Sequence, residues 1–478
     1  MEPRLRNKLP RLVLFEEHGL EAHTIKSLKL VILAIAFGIV QFNIVNGVAI
    51  ASYLRSLGVS NFVFGLLFAI GPIISPMQLV ASYIMERTRK RRQLLIIAGI
   101  IHRVVWLPFG LVPFFIPMEH YTLRIWMAAL FLFVVAFAQP FLNVTFFSMM
   151  ADIVPARIRG RYFAMRMRIS TICGIIGGFV VALILDNVSP FYSYAFVFSI
   201  AAILGTMDIL CYFGVKDPPM EKSEKEGESF ITILKTVIKN KPYMRFILFM
   251  TFWLFSLNLS APFILVHLGE GVQLSNTLIT VAVQISPNLC SVFILTRWGR
   301  ALDAHGNKPV MQVANGILCF APFLWIITAN NQISVVFIML IGVMTGLLLP
   351  GFDLGVNNMI MSSAPKVNRS MYIAMYFMCT SIIGIGLANA TGGWLLDNVF
   401  SHAEALNLSM GGVTFTRFNY LFGVSALMRC FMVYIALPRL IKEDCGTSAM
   451  ELLKDIIKKS RTGMRRKWTY ARWIIKGR

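Results

Sequence analysis

The chain has 478 residues, of which 57% are hydrophobic and only 14% charged, against roughly a quarter charged in soluble domains. This balance excludes an ordinary soluble enzyme and suits a polytopic membrane protein. Long apolar runs without two-residue alternation favour helices over a barrel.

Twelve apolar runs follow in chain order. They cover about 28–54, 61–85, 93–116, 124–150, 160–186 and 191–214, then 243–267, 275–298, 308–329, 333–361, 370–397 and 415–437. Each is long enough to cross a hydrocarbon core of roughly 30 Å at about 1.5 Å per residue. Residues 1–27 carry Glu16, Glu17 and Glu21 and lack the short apolar core of a cleavable signal, so they read as a cytoplasmic segment. Residues 215–242 are polar and mixed in charge, and read as a cytoplasmic linker with a short surface helix near 229–240. Residues 439–478 alternate apolar residues with Lys and Arg, as in Leu452, Leu453, Ile456, Arg465, Arg466 and Trp468. That pattern suits an amphipathic helix on an anionic inner leaflet. The domains expected are therefore two six-helix bundles, 28–214 and 243–438, joined by that linker.

The net charge of +22 would by itself suit nucleic acid. Its placement argues against that partner. Lys and Arg crowd 87–92, 157–168, 216–245 and 458–478, while the alternate loops near 55–60, 117–123, 187–190, 268–274 and 398–414 hold few. This is the positive-inside pattern, with both termini cytoplasmic. The seven cysteines are scattered and show no metal spacing or disulfide framework. No phosphate-binding loop or catalytic triad spacing occurs, so no enzyme activity and no cofactor are expected.

The chain also repeats itself. Residues 139–174 match 349–384 at an offset of 210, pairing Pro140 with Pro350, Asn143 with Asp353, Arg159 with Arg369 and Tyr162 with Tyr372. A second register at offset 215 pairs Asn43 with Asn258, Ser60 with Ser275, Asn61 with Asn276 and Pro72 with Pro287. Two parallel halves in a membrane protein place a solute site on the axis between them.

The loop after the eighth run reads Gly299-Arg-Ala-Leu-Asp303-Ala-His-Gly306-Asn-Lys308, and its counterpart after the second reads Ser82-Tyr-Ile-Met-Glu86-Arg87-Thr-Arg-Lys-Arg91. Both resemble the G-x-x-x-D-R-x-G-R-R loop of the major facilitator superfamily. The first copy has Ser for the first Gly, Glu for Asp and Arg89 for the second Gly; the second copy has Ala304 for the Arg. With the twelve runs and the repeat, the resemblance spans about 28–437. It implies an all-α fold of twelve transmembrane helices in two pseudo-symmetric bundles about a central cavity. In that family the loop latches the cytoplasmic side, a role carried here to Glu86, Arg87, Arg91, Asp303 and Lys308. Arg159 and Arg369, each four residues after a proline, join the same gate region.

The family's first, fourth, seventh and tenth helices line its cavity. Polar residues deep in a membrane are costly and usually functional. The repeat-paired ones, Asn43, Asn143, Asn258 and Asp353, fall on those four helices, and helical spacing adds Asn46, Gln139 and Asn357. Trp253 supplies an aromatic wall. Asp353 is the one acid of this set and the candidate for proton or cation coupling. His102, Arg103, Arg168, Asp208 and Arg429 fall on other helices; an Arg103–Asp208 structural pair, or snorkelling toward the inner leaflet, is the expectation there. Glycines 174, 177 and 178 lie in the fifth run without the proline that drug antiporters of the family place before such a pair.

The expected function is secondary transport of a small organic solute by alternating access, proton- or cation-coupled, by a monomer in the plasma (bacterial inner) membrane. Two other readings stand beside it: a lipid or lysophospholipid translocase, and a transport-inactive sensor or assembly protein.

Overall fold

Length and hydropathy dictate the architecture. The structure is a computed structural model describing residues 21–155, 158–218, 238–363, 369–405, 409–410, 413–440 and 448–454. Most of the N-terminal segment, the linker and the basic tail read above lie outside these residues. Among the described residues, twelve helices are long and apolar enough to span a membrane. They are α1 Ala22–Ser56, α2 Asn61–Thr88, α3 Arg91–Phe115, α4 Met118–Ile153, α5 Met165–Asn187 and α6 Pro190–Gly214. Then come α7 Lys241–Gly271, α8 Asn276–His305, α9 Asn307–Ile326, α10 Gln332–Ile360, α11 Tyr372–Asn398 and α12 Arg417–Arg439. Helical geometry begins upstream of α5 at Arg159 and of α11 at Arg369. Outside the helices, a two-residue antiparallel pairing joins Ser409–Met410 to Val413–Thr414.

The spans are not uniform, and their irregularities follow from sequence. α1 is interrupted at Gly47, which takes an extended conformation between Asn46 and Val48. α7 breaks after Asn258 and resumes at Ala261 with Pro262 in its first turn. Proline offers no N–H and clashes with the preceding turn, so it often ends or widens a helix, although α4 and α10 continue through Pro140 and Pro350. In α8 the widened turn is a π segment, Val281–Ile285, just ahead of Pro287. α12 does the same at Met432–Ala436, ahead of Pro438. α11 carries a longer π segment, Thr380–Leu387, with no proline after it.

The described chain divides into two compact units, and these are not the two halves of the repeat. One unit takes Met1–Val59, Ile70–Gly227 and Ser275–Thr280. The other takes Ser60–Ala69, Glu228–Leu274 and Val281–Arg478. Each unit thus holds the first turns of one helix whose remainder belongs to its counterpart.

Each unit has its own core. In the first, Leu28, Val31, Leu95, Met149, Tyr162 and Ile209 bury together. In the second, Tyr243, Phe246, Trp253, Met311, Phe352 and Tyr376 do so. The same interhelical bond locks both cores, with the donor exchanged. Tyr162 donates its hydroxyl to the Leu28 carbonyl at 3.1 Å. Tyr243, which stands 215 residues after Leu28, donates to the carbonyl of Tyr372, the repeat partner of Tyr162, at 2.8 Å.

Candidate functional site

In the second unit, α10 presents two faces. Glycines 351 and 355 let it lie tightly on its neighbours: an added Cβ would come within 2.6 Å of the Trp298 ring and 2.7 Å of Met311. Trp298 fixes that approach by donating from Nε1 to the Leu347 carbonyl at 2.7 Å. Asp353 and Asn357 project from the exposed part of the same helix. Among the described residues the Asp353 carboxylate has no hydrogen bond and no ion pair. Asn258, on α7 at the break, is half-buried and bonds its own helix through Leu254 O at 2.8 Å. Trp253 lies one turn earlier and is only 1% exposed. It packs on Phe352 with ring centroids 5.3 Å apart, so the structure places it in the core behind Asp353.

The first unit holds the other four candidates. Gln139 and Asn143 are half-buried on α4, with Gln139 Nε2 donating to Asn143 Oδ1 at 2.8 Å. Asn43 donates to the Gly174 carbonyl on α5 at 2.8 Å; it ties α1 to α5 where the glycine lets them approach. Asn46 is exposed and bonds the Phe42 carbonyl of its own helix.

Behind these amides lies a buried ionic cluster. Arg103 donates to Asp208 Oδ2 at 2.8 Å, pairing α3 with α6. Its other terminal nitrogen bonds Gln41 Oε1 on α1. His102 lies beside it, with Nδ1 3.4 Å from the Arg103 guanidinium. Gly38 and Gly205 provide the room: a Cβ at either would meet Asp208 at 2.8 Å or Arg103 at 2.7 Å. The expected pair is present, and a charge so deeply placed (Asp208 is 6% exposed) needs such a partner.

Among the described residues, the contacts that the predicted gate residues make are separate ones, each within its own unit. Arg91 is 1% exposed and is an internal staple of the first unit. It donates to Asp217 and Asp152, both at 2.5 Å, and to Ser148 Oγ at 3.2 Å. Glu86 and Asp303 are exposed and make no hydrogen bond or ion pair among the described residues. Arg87 donates to Tyr83 on its own helix, at 3.4 Å. Lys308 donates to the Pro438 carbonyl at 3.2 Å. Arg159 and Arg369 each open a helix. Arg89 ends the helical turn in a left-handed conformation (φ 53°), and Gly306, its counterpart, also has positive φ. The two share only the sign of φ: Arg89 is left-handed helical, with ψ 21°, whereas Gly306 is extended in ψ at 175°.

The sequence reading missed the polar contacts at the opposite ends of the helices. Asp186, at the end of α5, accepts from the backbone N–H groups of Asn276 and Thr277 at 2.8 and 2.9 Å. Asp397, at the end of α11, accepts from Phe62 N at 2.7 Å and from Asn61 Nδ2 at 2.6 Å. A signal was available: Leu-Asp-Asn-Val occurs at 185–188 and again at 396–399.

The Major Facilitator Superfamily profile matches residues 30–297. No curated protein matches the sequence. Among solved structures, a mutant form of the nucleoside transporter NupG superposes with a TM-score of 0.69 at 15% identity, covering 87% of this chain and all of its own. A D-xylose–proton symporter gives 0.62 at 10% identity, covering 89% and 98%. An inward-facing, unoccupied bacterial homologue of the human lysosomal transporter Spinster gives 0.59 at 12% identity, covering 88% and 95%. These likenesses establish the fold, and the profile covers more than half of the chain. The chain belongs to the Major Facilitator Superfamily and is an integral, multi-pass transporter rather than an enzyme.

Proposed function

We propose that the protein is a secondary transporter that moves a small organic solute by alternating access, with Asp353 as the residue that couples transport to a proton or another cation. The observation that carries this reading is an exposed carboxylate, without a hydrogen bond or ion pair among the described residues, within a 29-residue apolar span. A charged acid at the lipid face of a span centre costs about 2.5–3.5 kcal/mol or more. An acid kept there without a cation partner therefore faces a hydrated path, where it takes up a proton, binds a cation or meets a cationic solute. Asn357, also exposed, stands one helical turn beyond it on the same face. The repeat partner of Asp353 on α4, Asn143, is an amide bonded to Gln139. The structural likeness to a D-xylose–proton symporter supports a proton as the coupling ion.

The basic segments at 87–92 and 216–245 support a plasma, or bacterial inner, membrane with both termini cytoplasmic. The protein works as a monomer, and its basic tail meets anionic lipid.

The test uses a solute first identified by thermal shift, since a ligand selective for the native state raises its apparent stability. Asp353→Asn gives α10 the amide that α4 already has at Asn143. In liposomes carrying an imposed proton gradient, accumulation by this variant is expected to fall to the equilibrium ratio. Its Tm should match the parent's, and counterflow of a neutral solute should persist. Accumulation equal to the parent's would remove the coupling role. Loss of folding would show that Asp353 is structural.

A further inference from the structure

Four short segments carry one arrangement twice. Two of them are the Leu-Asp-Asn-Val sequences, 185–188 and 396–399, that end α5 and α11; the other two are the Ser-Asn pairs, 60–61 and 275–276, that begin α2 and α8. In the first unit, Asp186 meets the start of α8. Its Oδ1 accepts from the Asn276 N–H at 2.8 Å and from Asn276 Nδ2 at 2.9 Å, and its Oδ2 accepts from the Thr277 N–H at 2.9 Å. In the second unit, Asp397 meets the start of α2. Its Oδ1 accepts from Asn61 Nδ2 at 2.6 Å and its Oδ2 from the Phe62 N–H at 2.7 Å. The two serines match as well. Ser60 Oγ accepts from Val63 N at 3.3 Å, and Ser275 Oγ from Leu278 N at 3.2 Å.

The first N–H groups of a helix have no partner within it, and the helix dipole favours negative charge there. Asp186 takes two such donors together and Asp397 takes one with the Asn61 amide, and each is a charge-assisted contact through both carboxylate oxygens. Each acid comes from a different half of the repeat than the helix it caps. Residues 60–69 accordingly fall in the second unit and 275–280 in the first.

Backbone packing reinforces the second-unit copy. A Cβ at Gly393 would lie 2.2 Å from the Asn61 carbonyl oxygen, and one at Gly65 would lie 2.2 Å from that of Asn389. Asn389 Nδ2 also donates to the Phe68 carbonyl at 3.3 Å. Arg417 stands 4.0 Å from Asp397 and salt-bridges Glu404 at 3.1 Å. The first-unit copy adds a bond from Ser52 Oγ to Asn276 Oδ1 at 3.3 Å.

We propose that Asp186 and Asp397 are paired latches: each holds the first turn of a helix from the other half, and both must release for the protein to open at the end remote from its termini. This inference rests on the alternating-access reading. At the loops near the termini, Glu86 and Asp303 hold no such contact among the described residues. The remote latches are engaged in the state described.

Cysteine labelling tests this without a substrate. In an otherwise cysteine-free protein in detergent micelles, Phe64→Cys and Ile279→Cys report the two latched helix starts, both buried here. Asp186→Asn and Asp397→Asn keep the shape but turn an acceptor into a donor facing N–H groups. Each should raise maleimide labelling at both reporters at least threefold, and the double variant at least tenfold, because the two latches act on one motion. Gly393→Ala provides a second route that alters no charge: its methyl group should part α2 from α11 and raise labelling likewise. Unchanged labelling in the double variant and in Gly393→Ala, with both proteins monodisperse, overturns the proposal. A rise confined to the reporter beside the altered latch overturns the pairing. Opening of the latches in a protein that accumulates no solute would keep the latches and remove the transport reading.

Discussion

Single residues show where physical reading of the sequence reached the site and where it stopped. Asp353, the proposed coupling residue, stands out in the sequence because an acid in an apolar run must be explained, and its repeat partner Asn143 shows that packing alone accepts an amide. Trp253 was not. An aromatic in a span serves a wall or a core equally well, and only the packing of Phe352 against it decides for the core. Arg91 belongs to a family gate motif, yet its partners Asp217 and Asp152 lie far along the chain, and no spacing rule reaches them. Arg89 makes a prediction at this scale. Its φ of 53° is a left-handed conformation, which costs a side-chain-bearing residue about 1–2 kcal/mol. Glycine removes that cost and returns about half of it as lost chain entropy. Arg89→Gly should therefore stabilise the protein by up to about 1 kcal/mol, seen as a higher Tm. A lower Tm would mean that the exposed Arg89 side chain makes a stabilising interaction of its own.

At the scale of elements, the twelve apolar runs became twelve spans because hydrocarbon thickness sets helix length. The interruptions were less legible. Proline marks those near 262, 287 and 438, but nothing in the residues around 380–387 announces a π segment. A π segment inserts one residue into a helix. It accounts for the shift in the repeat: offset 210 holds up to Gly384, whereas Leu-Asp-Asn-Val recurs at 211. The second latch was hidden from the ungapped register for that reason. Packing between elements can be tested at the buried pair that joins α3 to α6. Removing one partner leaves a charge without compensation and typically costs about 3–5 kcal/mol. Asp208→Leu should thus destabilise strongly, and adding Arg103→Met should restore most of the lost stability. Thermal unfolding of the two variants measures this; a double variant no better than the single one would contradict it.

The molecule as a whole is one six-helix unit written twice, with the first turns of two helices exchanged between compact units. The duplication was plain in the sequence, since matched residues at a constant offset need no structure to be seen. The exchange was not, because it depends on which helix ends meet in space. The proposed alternating access and the proposed latches together predict a transporter that opens toward one side while latched toward the other. The most direct test of that claim is the labelling of a single cysteine at Asn357, an exposed position on the Asp353 face, in sealed vesicles of each orientation with an impermeant maleimide. In the parent protein, labelling should come chiefly from the side of the termini. With Asp186→Asn and Asp397→Asn together, it should fall on that side and rise on the other, each by several-fold. Labelling from one side only, at the same rate in both proteins, would contradict alternating access.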